Sequence, residues 1–219
     1  MYKHKITKDE VNQLELYRYT GPVEVVNTPE ELSEAIKELR KSHLIGFDTE
    51  SRPAFKKGDY YPVSLVQMAV EDCVYLIRVN LTGFTRELQS IFSDPNIIKA
   101  GISILDDIRE LQRLAHFEPH AVVEINKVAQ SLGVENSGVR NLSGIFLNCR
   151  ISKSQQTSNW EREELSEGQI AYAATDAWVC HQIYDKLDRQ GFLQVDEDFY
   201  FRLPKTPDMP RSKFRTKTR

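Results

Sequence analysis

The spacing of apolar and polar positions divides the 219-residue chain into a strand-rich first half and a helix-rich second half. Short apolar runs bounded by turn residues predict strands at 23–26, 43–50, 63–70, 73–79, 97–100 and 121–124. Apolar residues three and four positions apart predict helices at 29–41, 85–92, 104–116, 125–132 and 139–147, and a long last helix from Ser166 to about Gly191. Strands that include a hairpin, followed by helices, predict an α/β fold with helices covering a mixed sheet.

Two of these helices carry clear start signals. Thr28 precedes a proline and has Glu31 three positions later, which is a capping box. Ser166 and Gln169 form a second capping box at the start of the last helix. These signals fix where the helices begin, independently of their apolar spacing.

The amino-acid composition indicates which class of protein this is. Hydrophobic residues make up 40% and charged residues 28% of the chain, a balance typical of soluble globular proteins. The N-terminus has no apolar leader, and no apolar run approaches the ~20 residues of a membrane span. The three cysteines are dispersed, which favours reduced thiols over a disulfide framework or a zinc site. We therefore expect a cytoplasmic protein with no membrane partner.

Charge is distributed unevenly along the chain. The net charge of −3 divides into +6 for residues 202–219, which hold seven basic residues and one acid, and −9 for residues 1–201. Such a tail either grips a phosphate backbone or serves as a disordered, solubilising end. We predict an N-terminal extension at 1–21, a single domain at 22–192, and a partly disordered basic tail at 193–219.

The first candidate chemistry is the pair Asp48 and Glu50 at the end of a predicted strand. Alternate residues of a strand point to the same face, so the two carboxylates lie roughly 7 Å apart along it. They repel each other unless a proton or a cation compensates. Oxygen ligands of this kind suit Mg²⁺ or Mn²⁺, although a D-x-E sequence also occurs at ordinary solvated strand ends.

The second candidate is the adjacent pair Asp106 and Asp107, near the start of a predicted helix. Adjacent helical residues are about 100° apart, so at most one of the two faces a site. Asp107 falls at the edge of the buried stripe and Asp106 nearer the outside, with a small angular margin that leaves both open. The alternative explanation is structural, because acidic side chains near a helix N-terminus stabilise the helix.

The third candidate is Tyr172 with Asp176, one turn apart in the last helix and hence on one face. An aspartate within the apolar stretch IAYAATDAWVC must be paired, hydrogen-bonded or bound to a metal. A structural contact between the tyrosine and the aspartate is the simpler alternative.

The motifs occur in one order along the chain. They read GFDTE, SLVQMAV, KAGISILDDIREL and SNWEREELSEGQIAYAATDAW. In this order the chain resembles the DEDD superfamily of 3′–5′ exonucleases over residues 23–190, and looks like ribonuclease D and the Werner-syndrome exonuclease domain. The histidine-bearing subgroup has its histidine where this chain has Ala171, so the resemblance is to the tyrosine-bearing subgroup. It implies a single ribonuclease H-like domain, a mixed β-sheet flanked by helices.

The resemblance also implies roles. Asp48 would bridge two divalent cations, Mg²⁺ or Mn²⁺, with Glu50 and Asp176 completing one and Asp107, rather than its neighbour, holding the other. Tyr172 would hydrogen-bond and orient the attacking water, because a hydroxyl with a pKa of ~10 is a poor base.

Other positions match the family less decisively. Lys153 is a candidate phosphate contact, Gln67 matches without a role that we can derive, and Trp160 is expected in the core. Relatives often carry an aromatic residue directly after D-x-E, where this chain has Ser51, which puts stacking of the terminal base in doubt.

These features predict a two-metal 3′–5′ exonuclease acting on single-stranded or 3′-recessed DNA or RNA. The first alternative is a catalytically silent nucleic-acid-binding or scaffold module with the same fold. The second is a metal-dependent phosphatase of small molecules, which the basic tail disfavours.

Overall fold

The chain is described here by a computed structural model that covers residues 2–56 and 58–193. Its strands are β1 Val23–Val26, β2 Leu44–Ser51, β3 Val63–Ala69, β4 Val74–Ile77, β5 Ile98–Gly101 and β6 Val122–Glu124. They form one sheet in the order β1-β4-β3-β2-β5-β6. β3 runs antiparallel to both β2 and β4, whereas the pairs β1–β4, β2–β5 and β5–β6 are parallel. The predicted mixed sheet is confirmed.

The helices match the predicted positions with two additions and one correction. They are α1 Lys8–Gln13, α2 Pro29–Leu39, α3 Val79–Thr82, α4 Arg86–Phe92, α5 Ile104–Leu114, α6 Ile125–Ser131, α7 Val139–Leu142 and α8 Glu167–Arg189. The single helix predicted at 139–147 is wrong, because α7 passes into a π-helix at Ser143–Leu147. The short helices α1 and α3 had no apolar periodicity long enough to predict them. Both predicted capping boxes are present.

The two faces of β2 explain how the sheet is covered. Ile45 and Phe47 point into a core shared with α2, α4 and α5, where the Phe47 ring meets Phe92 edge-on at 5.3 Å. The alternate residues, Gly46 and Asp48, point to the opposite face. Helix α8 covers that face, so the start of the D-x-E motif lies directly beneath the last helix.

Helix α8 approaches β2 closely because both surfaces are small. A Cβ atom at Gly46 would lie 2.3 Å from the carbonyl oxygen of Ala177 and 2.5 Å from the backbone nitrogen of His181. On the helix, Ala173 and Ala177 are fully buried. Glycine on the strand and alanines on the helix therefore set the distance between β2 and α8.

Residues ahead of β1 pack against the rest of the structure. Ile6, Val11 and Tyr19 are buried. The Tyr17 backbone nitrogen donates to the Arg150 carbonyl at 2.8 Å. The described part of the predicted extension 1–21, which begins at residue 2, is thus held to the domain.

The predicted basic tail, apart from Leu193, lies outside the described residues. Within residues 2–56 and 58–193, no helix combines the length and the apolar character that crossing a membrane would require.

Replacing Gly46 by alanine should destabilise the protein by about 1–3 kcal/mol, because the added methyl group overlaps the α8 backbone and not a movable side chain. Urea unfolding measures the difference. Gly168→Ala is the matched control on α8 itself, because its Cβ would meet side-chain atoms alone, those of Gln155 at 3.3 Å and Ser166 at 3.9 Å. Equal stability of Gly46→Ala and wild type would contradict the close packing.

Candidate active site

Three carboxylates converge where β2 passes beneath α8. Asp48 and Glu50 extend from β2 and Asp176 from α8, and one oxygen of each lies within 4.8 Å of the others. Asp176 is buried, and the two strand residues are half-buried. Three hard oxygen donors at this separation fit a divalent cation. The structure thus brings together three of the four acids singled out in the sequence.

The fourth acid, Asp107, lies beside this group and outside the 4.8 Å set. The Thr49 hydroxyl donates a hydrogen bond to its Oδ1 at 2.6 Å. Its neighbour Asp106 points away, with 77% of its side chain exposed and an ion pair to Arg109 at 2.6 Å. Tertiary structure therefore resolves which aspartate of the pair faces the site. Thr49 was missed, and its only sequence signal was a hydroxyl between the two acids of D-x-E.

A tight turn aims the helix that carries Asp107. A Cβ at Gly101 would lie 2.7 Å from the Phe47 carbonyl oxygen, so only glycine fits between β5 and β2. Ser103 follows in the left-handed conformation with φ 63°. Its backbone nitrogen donates to the Glu124 carboxylate at 2.9 Å, which fixes the start of α5. Glu124 is a second positioning residue that the sequence did not reveal.

Tyr172 lies one turn before Asp176 on α8, close enough for its hydroxyl to lower the pKa of that carboxyl. The Trp160 ring packs beside the tyrosine ring, with centroids 6.0 Å apart. Trp160 is completely buried, as predicted. The buried Gln169 amide donates to the Asn159 carbonyl at 3.0 Å and ties the preceding loop to α8. The Trp160 ring, in a loop that Gln169 ties to α8, therefore holds the tyrosine at the carboxylate cluster.

The buried carboxyl groups of the site have raised pKa values. Burial, together with the charges of Asp107, Asp176 and Glu50, holds the pKa of Asp48 well above its usual range. Burial and its acidic neighbours raise the pKa of Glu50 to about 9. Burial also raises the pKa of Asp107 and of Asp176 to about 7 each. The four groups cannot all be ionised at neutral pH without added positive charge, which matches the chemistry of a cation site.

Tyr172 experiences the same field. Burial, followed by the charges of Asp176, Glu50 and Asp48, raises the pKa of its hydroxyl far above the usual value. The hydroxyl therefore stays protonated throughout the physiological range. It can donate a hydrogen bond but cannot act as a base.

The carboxylates open into a cavity of about 870 Å³. Tyr172 and Lys153 also line it, and Lys153 is exposed. The lysine charge lowers the pKa of Asp176, although burial outweighs this effect. The residue predicted as a phosphate contact therefore reaches the same cavity as the acids.

Gln67 lies on β3 directly across from Asp48. It is completely buried, and both polar atoms of its amide lack a partner among the residues that the structure describes. Opposed residues of an antiparallel pair share a face of the sheet, so the amide lies on the carboxylate side. Gln67, which matched the family in sequence without a role, thus lies beside the carboxylate site.

A buried carboxylate cluster with an adjacent tyrosine, carried on a mixed sheet beneath a long helix, is the arrangement of a metal-dependent nuclease domain. A family model described as 3′-5′ exonuclease matches residues 23–191, and the chain belongs to this family.

Individual relatives agree with this assignment. The chain is 28% identical over 182 residues to ribonuclease D of Gluconacetobacter diazotrophicus, covering 80% of this chain and 45% of that protein. It is 32% identical over 167 residues to the bifunctional 3′-5′ exonuclease/ATP-dependent helicase WRN of Mus musculus, covering 73% of this chain and 12% of that protein. The resemblance found in the sequence is confirmed.

The fold is shared with solved structures. The EXO domain of Aedes aegypti Nibbler has a TM-score of 0.70 and 25% identity, covering 80% of this chain and 91% of that one. The predicted ribonuclease H-like class is thereby confirmed. The chain spans less than half the length of the curated relatives that it matches.

The raised pKa values predict how stability depends on pH in the absence of divalent cations. Unfolded carboxyls lose their protons near pH 4, whereas those of Asp176 and Glu50 keep them to about 7 and about 9. Between these limits the folded state binds more protons, so its free energy of unfolding falls as pH rises. Thermal unfolding in EDTA from about pH 5 to about pH 9 should show this fall, and a divalent cation should reverse it.

The matched variants for this measurement are Asp48→Asn and Asp106→Asn. The first removes one charge from the cluster, so the metal-free protein should become more stable by at least ~1 kcal/mol near neutral pH, which is about 2–4 °C in Tm. It should also lose stabilisation by cations. The second removes an exposed, ion-paired charge and should leave the pH dependence as in wild type. Identical profiles for Asp48→Asn and wild type would contradict the repulsion.

Proposed function

We propose that this chain is an active 3′–5′ exonuclease that hydrolyses nucleic-acid phosphodiester bonds from the 3′ end. The observation that carries the proposal is the convergence of Asp48, Glu50 and Asp176 within 4.8 Å at the mouth of an open cavity. Family membership supports the reaction, and the retained acids argue against a catalytically silent module.

The carboxylates are proposed to hold two divalent cations, Mg²⁺ or Mn²⁺. Asp48 is proposed to serve both; Glu50 and Asp176 would complete the ligands of one cation, and Asp107 would hold the other. Exclusively oxygen donors favour these ions over zinc. The chemistry that such cations supply is charge stabilisation at phosphorus and a lower pKa for the attacking water.

Tyr172 is proposed to position that water. Its hydroxyl stays protonated, and packing of its ring against Trp160 limits the direction in which it points. A fixed donor lowers the entropy cost of aligning the nucleophile without taking its proton. Lys153, an exposed residue that lines the cavity, is proposed to contact a substrate phosphate.

The substrate class is proposed to be single-stranded or 3′-recessed DNA or RNA. An open, polar cavity with a lysine at its edge suits a flexible strand carrying one charge per nucleotide. The choice between DNA and RNA depends on contacts to the 2′-hydroxyl. The cytoplasmic location stays a prediction.

Digestion of matched 5′-labelled single-stranded DNA, 3′-recessed duplex DNA and single-stranded RNA tests the activity, with Mn²⁺, with Mg²⁺ and with EDTA. We expect a ladder that shortens from the 3′ end and is abolished by EDTA. A small phosphomonoester tests the phosphatase alternative in the same buffers. Stable binding of the oligonucleotides without any shortening would support the silent module instead.

Asp48→Ala and Asp176→Ala should each abolish this digestion, losing more than the roughly 10–100-fold that removal of an outer-shell partner costs. Asp106→Ala is the control, because this exposed acid faces Arg109. Circular dichroism confirms that each variant is folded. Activity at the wild-type level in either cluster variant would overturn the assignment.

Tyr172→Phe should lower kcat by about 100-fold, the size expected when one positioned hydrogen-bond donor is lost. The phenylalanine ring can still pack on Trp160, so the fold should survive. Calorimetric titration with Mn²⁺ should give an unchanged affinity. A matching loss of Mn²⁺ affinity would show that the tyrosine serves the metal site and not the water.

A further inference from the structure

Part of the cavity wall comes from residues outside the family match. The match begins at residue 23. Ile6, Lys8 and Val11 nevertheless line the same cavity as Asp48 and Asp176, together with Arg140 at the start of α7. Helix α1 and α7 therefore form one side of the cavity, and β2 and α8 carry the acids on another.

This part of the wall is well anchored. Helix α1 opens with a capping box between Thr7 and Glu10. Ile6 and Val11 are buried, and the Ile6 backbone nitrogen donates to Asn136 Oδ1 at 2.7 Å. The backbone of α1 consequently has a fixed position relative to the cavity.

The cations on this wall have few partners. Lys8 is exposed and makes no ion pair among the described residues, whereas the nearby Lys3 and Lys5 pair with glutamates at 3.2 and 3.8 Å. Arg140 donates from one terminal nitrogen to Asn12. Its Nε is buried, with no acceptor among the described residues. A guanidinium has five N–H donors, so most of the binding capacity of Arg140 is unused.

We propose that Lys8 and Arg140 form an upstream phosphate wall, which binds the backbone of the nucleic acid on the 5′ side of the phosphodiester being cleaved. The proposal rests on the function proposed above. An exonuclease holds only the terminal phosphodiester at its carboxylates, so the preceding phosphates must occupy another part of the cavity. Acids repel these phosphates, and unpaired cations on a separate wall attract them.

A purely structural role is the competing explanation for Arg140, because its hydrogen bond to Asn12 joins α7 to α1. Asn12→Ala separates the two roles. It removes the same hydrogen bond but keeps the guanidinium charge. Lys5→Ala is the matched control for Lys8→Ala, because it removes an exposed lysine from the same segment without altering the cavity lining.

The test is direct binding by the full chain in EDTA, with Asp48→Asn present to prevent hydrolysis. The probe is a short, fluorescently labelled single-stranded oligonucleotide, titrated by anisotropy over a series of KCl concentrations. Lys8→Ala and Arg140→Gln should each weaken binding by about three- to tenfold. Each should also reduce the slope of log affinity against log salt by about 0.7, the value for one phosphate contact on a single strand. Asn12→Ala and Lys5→Ala should keep the slope.

Two results would overturn the proposal. One is an unchanged slope in both Lys8→Ala and Arg140→Gln. The other is an equal change in Arg140→Gln and Asn12→Ala, which would make Arg140 a structural link. Thermal unfolding identifies any variant that fails to fold, and Lys8→Ala, at an exposed position, then remains the deciding measurement. Because binding is read without turnover, a chain that binds as expected but digests nothing would refute the proposed function alone.

Discussion

The close approach of α8 to β2 is the constraint on which the site depends. Gly46 has no side chain where the helix backbone passes, and the buried alanines of α8 leave room on the other side. Asp48 and Glu50, two and four residues further along the strand, are thereby brought within reach of Asp176. A packing feature of the core thus sets the geometry of the carboxylates.

That geometry is electrostatically unfavourable by itself. Burial raises the pKa values of all four acids, and the charges of other acids in the cluster raise those of Asp48 and Glu50 further, so added positive charge would stabilise the site. The Thr49 hydroxyl partly offsets this cost by donating a hydrogen bond to Asp107, and the Tyr172 hydroxyl lowers the pKa of Asp176. The free energy gained by packing the core therefore holds together acidic groups that repel one another, as in many enzyme sites.

The N-terminal segment extends this arrangement beyond the family core. Tyr19 donates its backbone N–H to the Thr175 hydroxyl at 3.0 Å, next to Asp176 in α8. Helix α1, which precedes Tyr19 in the same segment, lines the cavity. The residues that precede the matched domain therefore both brace the catalytic helix and shape the space in front of it.

Local patterns in the sequence determined the order of the strands and helices, the capping boxes at Thr28 and Ser166, and the motifs that identify the family. These are short-range properties, readable from neighbouring residues. Tertiary structure decided that Asp107 and not Asp106 faces the cluster, and that α7 ends in a π-helix. It also decided that Lys8 reaches the cavity. Each of these depends on contacts between residues distant in the chain. Beside the family resemblance, local spacing gave only a small margin in favour of Asp107, and it gave no signal for the π-helix or for Lys8.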